Sequence, residues 1–163
     1  MSSPNPFLPG SPAAPALNTH TTTEYELDLP SSWEVRPSGD GNAATFQSDA
    51  DRAALFITVD FYEIPADKAR ATAERLINTR LATLESQSPG QVDMFDSGVQ
   101  PHWQGQGIEM YCASHVAKQD VVMYFAYVMP RRVLNLTLVS KMDRKEAMAL
   151  LRAVHSHFRP KLA

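Results

Sequence analysis

The chain has 163 residues, 44% of them apolar and 20% charged, the proportions of one soluble globular domain. Its 15 Lys and Arg against 18 Asp and Glu leave a formal net charge of -3, so no broad cationic surface exists to displace counterions from a phosphate backbone, and a nucleic-acid partner is not expected. A single cysteine, Cys112, excludes an internal disulfide and any multi-cysteine metal site.

Residues 1–23 carry Pro4, Pro6, Pro9, Pro12 and Pro15 among Ser, Ala, Asn and Thr, a mixture that removes backbone donors and offers little apolar mass to offset ordering entropy. They are expected to form a flexible arm, with residues 24–163 as one folded domain. From Tyr25 the pattern changes: Tyr25, Leu27 and Leu29 alternate with Glu24, Glu26 and Asp28, the period of a strand with one wet face, ended by Pro30. After Trp33 and the polar turn Pro37-Ser38-Gly39-Asp40-Gly41-Asn42 come a short run at Ala44–Gln47 and a strand at Ala54–Tyr62, in which Leu55, Ile57, Val59 and Phe61 share a face. Between Pro65 and Leu84 the period lengthens, and Ala69, Ala73, Leu76, Ile77, Leu81 and Leu84 fall on one stripe of a helix that Ser88-Pro89-Gly90 terminates.

Four more strands are expected at Val92–Gln100, Ile108–Val116, Val121–Val128 and Val133–Ser140, the last three close enough in sequence to form a meander. Asp143 with Glu146 three residues on reads as the start of a second helix, whose buried stripe is Ala147, Leu150, Leu151, Val154 and Phe158. Strands and helices that segregate without βαβ alternation argue for an α+β fold, an antiparallel sheet of about six to seven strands covered by two helices.

Catalytic and metal-binding signals are weak. Cys112 and His115 are three apart on a strand and point to opposite faces, while His155 and His157 are two apart on a helix, and His102 stands alone, so these ligand types do not converge. Cys112 lies in apolar alternation with Met110, Ser114 and His115 diverge, and Gly105-Gln106-Gly107 lacks the following helix of a phosphate cradle. No catalytic residue, metal or cofactor is expected. The later strands are more informative, because Val121–Val128 sets Val122, Tyr124, Ala126 and Val128 against Met123, Phe125 and Tyr127, with neither face polar. Two helices are too few to cover both faces of such a sheet, which leaves one side open for an apolar or amphipathic segment unless a second copy or the Trp103 loop covers it.

The stretch Tyr25-Glu26-Leu27-Asp28-Leu29-Pro30-Ser31-Ser32-Trp33 resembles the opening strand, proline and tryptophan of bacterial DUF1795 proteins of the Mog1/PsbP/DcrB-like fold. The likeness continues in outline through the helix from Pro65 to the closing Phe158-Arg159-Pro160. Within that family the chain looks most like the effector-associated chaperones of type VI secretion, and the resemblance implies a cytoplasmic, non-enzymatic homodimer that shelters an apolar, membrane-prone segment of a secreted effector on the open sheet face. No run approaches the ~18 apolar residues of a bilayer crossing, and the first basic residue is Arg36, so neither membrane insertion nor a secretory leader is expected. The residues expected to hold the partner are Tyr111, Met123, Phe125, Tyr127, Asn135 and Thr137, with Trp103 at the rim. Two other readings stay open: an immunity-type protein that neutralises a toxin domain, and a small-ligand module, which a convergent pocket around His102, His115 or Glu109 would favour.

Overall fold

The computed structural model describes residues 16–36, 43–101, 107–117 and 120–161. Trp103 and His102, the Pro-rich run up to Pro15, the Pro37–Asn42 turn and the Gly105-Gln106 pair lie outside the described residues. Ten strands and two helices follow one another as β1 (Leu17–Thr21), β2 (Tyr25–Pro30), β3 (Glu34–Arg36), β4 (Ala43–Ser48), β5 (Ala53–Phe61), α1 (Ala69–Gln87), β6 (Val92–Pro101), β7 (Ile108–Val116), β8 (Asp120–Val128), β9 (Arg132–Ser140), α2 (Arg144–Ser156) and β10 (Phe158–Pro160), with one 3₁₀ turn at Ala66–Lys68 before α1.

Two antiparallel sheets result, a large one ordered β3-β4-β5-β9-β8-β7-β6 and a small one ordered β1-β2-β10. The fold is therefore α+β, as its sequence pattern predicts, but the strands number ten among the described residues and divide between two sheets. One boundary needs correcting. Leu17–Thr21, expected to belong to a flexible arm, pairs along β2 from Leu17 opposite Pro30 to Thr21 opposite Glu26. The segment has little apolar mass of its own; the ladder and the Thr19 hydroxyl, which donates to Asp28 Oδ1 at 2.7 Å, hold it in place.

The core has two compartments, one on each face of the large sheet. On the first face, Leu55, Ile57, Met123, Phe125, Tyr127, Leu134, Leu136 and Leu138 meet Leu27 and Leu29 of the small sheet and Ala147, Leu150, Leu151 and Val154 of α2. Trp33 is buried in the same compartment, and Phe158 stacks between Tyr25 and Tyr127 at ring distances of 5.1 and 5.2 Å. Helix α2 starts where the sequence places it, with Asp143 Oδ1 accepting from the Glu146 backbone N–H at 2.8 Å. On the second face, α1 lays Ala69, Ala73, Leu76 and Ile77 over Met110, Cys112, Tyr124, Ala126 and Val128.

The coverage is diagonal. Helix α1 packs chiefly on β6, β7 and β8, whereas α2 and the small sheet occupy the other face over β8, β9, β5 and β4. The α1 side of β4-β5 is thus left exposed, while on the opposite face the far edge of α2 only partly covers β6 and β7, with Arg144 over the Phe95 ring and His155 against Glu109.

Candidate functional site

Alternation along β5 builds the exposed α1 side. Leu55, Ile57 and Val59 point into the core, which sends Ala54, Phe56, Thr58 and Asp60 to the α1 side. Strand pairing sets Phe56 opposite Thr137 and Thr45, Thr58 opposite Asn135 and Ala43, and Ala54 opposite Val139 and Gln47. The result is a floor of mixed apolar, hydroxyl and amide groups with a phenyl ring at its centre, and Phe56 is 42% exposed although it lies mid-strand in the large sheet. Antiparallel strands lie about 4.8 Å apart, so β4, β5 and β9 span roughly 10 Å, the width of one α-helix. Helix α1, packed over β8, β7 and β6, stands beside this floor and borders it as a groove.

A polar network fixes the junction of wall and floor. Tyr124 donates its hydroxyl to Asn135 Oδ1, and Asn135 Nδ2 donates to Asp60 Oδ2 at 2.9 Å. The Arg80 guanidinium from α1 lies 4.3 Å from the centre of the Tyr124 ring. Burial pushes the Tyr124 hydroxyl up to about 12, with Arg80 opposing that rise, so it is a neutral donor at any physiological pH. Asn135 is only 5% exposed, and its two polar ends are both used, which makes it a rigid part of the groove floor. Beside it, burial and then the Asp60 charge raise the Tyr62 hydroxyl, and Tyr62 itself stays 39% exposed at the end of the groove.

The residues expected to hold a partner do not share one surface. Asn135 and Thr137 stand on the groove floor. Met123, Phe125 and Tyr127, expected on the same open side, belong instead to the opposite face and are core residues, 0%, 6% and 3% exposed under α2 and the small sheet. The physical reason is register: Ala126 pairs with Asn135 and Tyr124 with Thr137, so the odd-numbered side chains of β8 share the face of Leu134, Leu136 and Leu138. Tyr111 lies opposite Phe125, on the partly covered α2 side of β7. Phe56 and Thr58 were absent from the expected set; an apolar residue at the second position of an otherwise polar alternation, Ala54-Phe56-Thr58-Asp60, is the signal that marks them.

Cys112 is buried under α1, and burial raises its thiol to about 11, the state of a packed hydrophobe and not of a nucleophile. No helix among the described residues is long and apolar enough to cross a membrane.

Solved structures of similar fold cover most of the chain. The solution structure of cyanobacterial PsbP (CyanoP) from Synechocystis matches with a TM-score of 0.69 over 93% of this chain and 96% of that one, at 16% identity. The crystal structure of the Ran-binding protein Mog1p from Saccharomyces cerevisiae matches with a TM-score of 0.55 over 88% of this chain and 96% of that one, at 9% identity. A Mog1 variant gives 0.56, over 88% and 95% of the two chains, at 10% identity. No family model and no curated protein matches the sequence. At such identities the likeness is one of fold, and the chain has the Mog1/PsbP-like fold.

Proposed function

We propose that this protein is a non-enzymatic binding module that shelters an apolar segment of another polypeptide in the groove between α1 and the β4-β5-β9 floor. The observation that carries this reading is Phe56, a large apolar ring left 42% exposed at the centre of a floor of Thr, Ala, Val and Asn side chains. A full-sized apolar side chain in water forgoes about 1.5 to 3 kcal/mol, so a membrane-prone helix awaiting export needs such a surface. The Thr45 and Thr137 hydroxyls paired beside Phe56 supply the contacts that a neighbouring membrane helix would make. A structural neighbour of this fold is, by its name, a Ran-binding protein, which supports a protein partner in general. The DUF1795-like opening at Tyr25–Trp33 supports the narrower reading of a cytoplasmic, dimeric chaperone for a type VI secreted effector.

Co-purification tests it. The chain is expressed with a secreted protein encoded beside its own gene, in full length, without the N-terminal apolar segment, and without the toxic domain. Capture that needs the apolar segment and is lost in Phe56→Asp supports the chaperone. Capture that needs only the toxic domain, or that survives Phe56→Asp, refutes it, and the first of these outcomes favours the immunity reading.

A further inference from the structure

The α2 side of β6 and β7, which α2 only partly covers, holds a pocket of about 150 Å³ that the groove reading does not use. Its walls come from three strands and a helix. Strands β6 and β7 contribute Asp96, Gln100, Glu109 and Tyr111, and α2 contributes Met148, Leu151, Arg152 and His155, with Phe125 at the back.

The polar side of this pocket is rigidly built. Glu109 is a buried carboxylate, its side chain 4% exposed, and its Oε2 meets Gln100 Nε2 at 3.0 Å and His155 Nε2 at 3.2 Å. Tyr111 donates its hydroxyl to Asp96 Oδ1 at 3.0 Å. The ring reaches Asp96 by crossing Gly98, where an added Cβ would stand 2.6 Å from a ring carbon, so glycine at this position is what lets the tyrosine lie flat on β6. Asp96 is thereby fixed with Oδ2 left as an acceptor. Arg152, which also lines the pocket and whose charge acts on the Tyr111 hydroxyl, is exposed and, among the described residues, forms no ion pair. The apolar side is Met148, Leu151 and the Phe125 ring, itself 4.6 Å from the His155 ring.

A carboxylate held in place, a free guanidinium and an apolar wall around one small cavity match the three parts of an amino acid. A simple carboxylate would meet Asp96 and Glu109 as like charges, and a simple amine would meet Arg152 as one, whereas a zwitterion satisfies both ends. The volume matches a side chain of a few carbons, since a cavity of roughly 150 Å³ holds one benzene. We propose that this pocket binds a free α-amino acid with a small apolar side chain, its ammonium on Asp96, its carboxylate on Arg152 and its side chain against Met148 and Leu151.

The test uses the full chain and three probes: L-leucine, isoamylamine as its amine half and isocaproate as its acid half, followed by calorimetry and by the methyl resonance of Met148. The expected result is that leucine binds and shifts Met148, and that each half binds at least about tenfold more weakly. Arg152→Gln is expected to reduce leucine to the level of isoamylamine, and Asp96→Asn to reduce it to the level of isocaproate; Asp96 is half-buried and Arg152 exposed, and thermal melts verify folding. The proposal is overturned if millimolar leucine moves no resonance, if either half matches leucine, or if either variant binds leucine unchanged. Phe56→Asp is expected to leave leucine binding intact, so the outcome here is separable from that of the groove.

Discussion

Two phenylalanines on strands β5 and β8, which flank β9, separate the core from the binding surface, and their substitution gives the most direct test of the diagonal arrangement. Phe125 is 6% exposed, packs edge-on to Tyr127 at 5.0 Å and faces Leu55, Leu136, Leu138, Leu151 and Val154. Truncating a core Phe to Ala loses its transfer energy and leaves a cavity, at about 3 to 5 kcal/mol. Phe56, 42% exposed, has little more than half of its surface to lose, and replacing it with Thr keeps the β-branched preference of a strand. Scaling the ~1.5 to 3 kcal/mol for a fully buried apolar side chain by that fraction gives about 1 kcal/mol for Phe56→Thr. Urea denaturation followed by far-UV circular dichroism reads both numbers, provided that the slope with denaturant is unchanged. With a domain stability of about 5 to 15 kcal/mol, Phe125→Ala remains measurable while Phe125→Asp is expected to unfold the protein. Equal losses at the two positions, or a loss below about 1 kcal/mol at Phe125, would show that the α2 face is not the core face and would remove the basis for placing the groove on the α1 side.

Three further outcomes are expected. Arg159 pairs with Asp28 at 2.8 Å and with Glu26 at 3.3 Å, and with the Thr19 hydroxyl it holds the Asp28 carboxyl below the usual carboxylate range. Because the folded value is the lower one, the stabilisation is fully present above about pH 4 and is lost as pH falls through the depressed folded value, so Asp28→Asn should cost up to about 1 kcal/mol at pH 7 and nothing in strong acid. Cys112 should resist alkylation at pH 8 in the native protein and react at the rate at which the chain opens, as timed by mass spectrometry; rapid labelling would contradict its burial under α1. Asn135→Ala strips Tyr124 of its acceptor, so a loss of about 1 to 3 kcal/mol in urea melts is expected, and Tyr124→Phe in the same background should recover part of it.

The sequence carries those parts of the fold whose pattern is local. The 3.6-residue stripe of α1, the Asp143 and Glu146 signature of α2, and the alternations of β2, β5, β7, β8 and β9 all lie within a residue or a few of their observed bounds. What escapes the pattern is held from outside. Strand β1 reads Leu-Asn-Thr-His-Thr, mostly polar and exposed, and exists because β2 offers an edge and Asp28 a partner for Thr19. Strands β3 and β10 have three residues each, too short for any period; β10 is set by the Phe158 ring lying between Tyr25 and Tyr127 and by Arg159 reaching Asp28. For β1 the partner strand is local but its polar pattern gives no period, and for β10 the cause is tertiary, Arg159 lying 131 residues from Asp28.

The site shows the same division more sharply. Alternation within β8 separates Met123, Phe125 and Tyr127 from Tyr124 and Ala126, and alternation within β9 separates Leu134, Leu136 and Leu138 from Asn135 and Thr137, yet neither says which set of one strand joins which set of the other. That choice is made by the turn at Met129–Arg131, where the Met129 backbone N–H donates to the Arg132 carbonyl at 2.9 Å and sets Val128 opposite Val133. A register shifted by one residue would have placed Phe125 beside Asn135 and made the expected aromatic surface real. The observed register puts Phe125 and Tyr127 into the α2-side core and Tyr124 into the α1-side core, and the exposed ring of the groove comes from β5 instead. An open half-sheet follows from how few helices the chain has to cover seven strands; which rings it displays follows from a single hairpin.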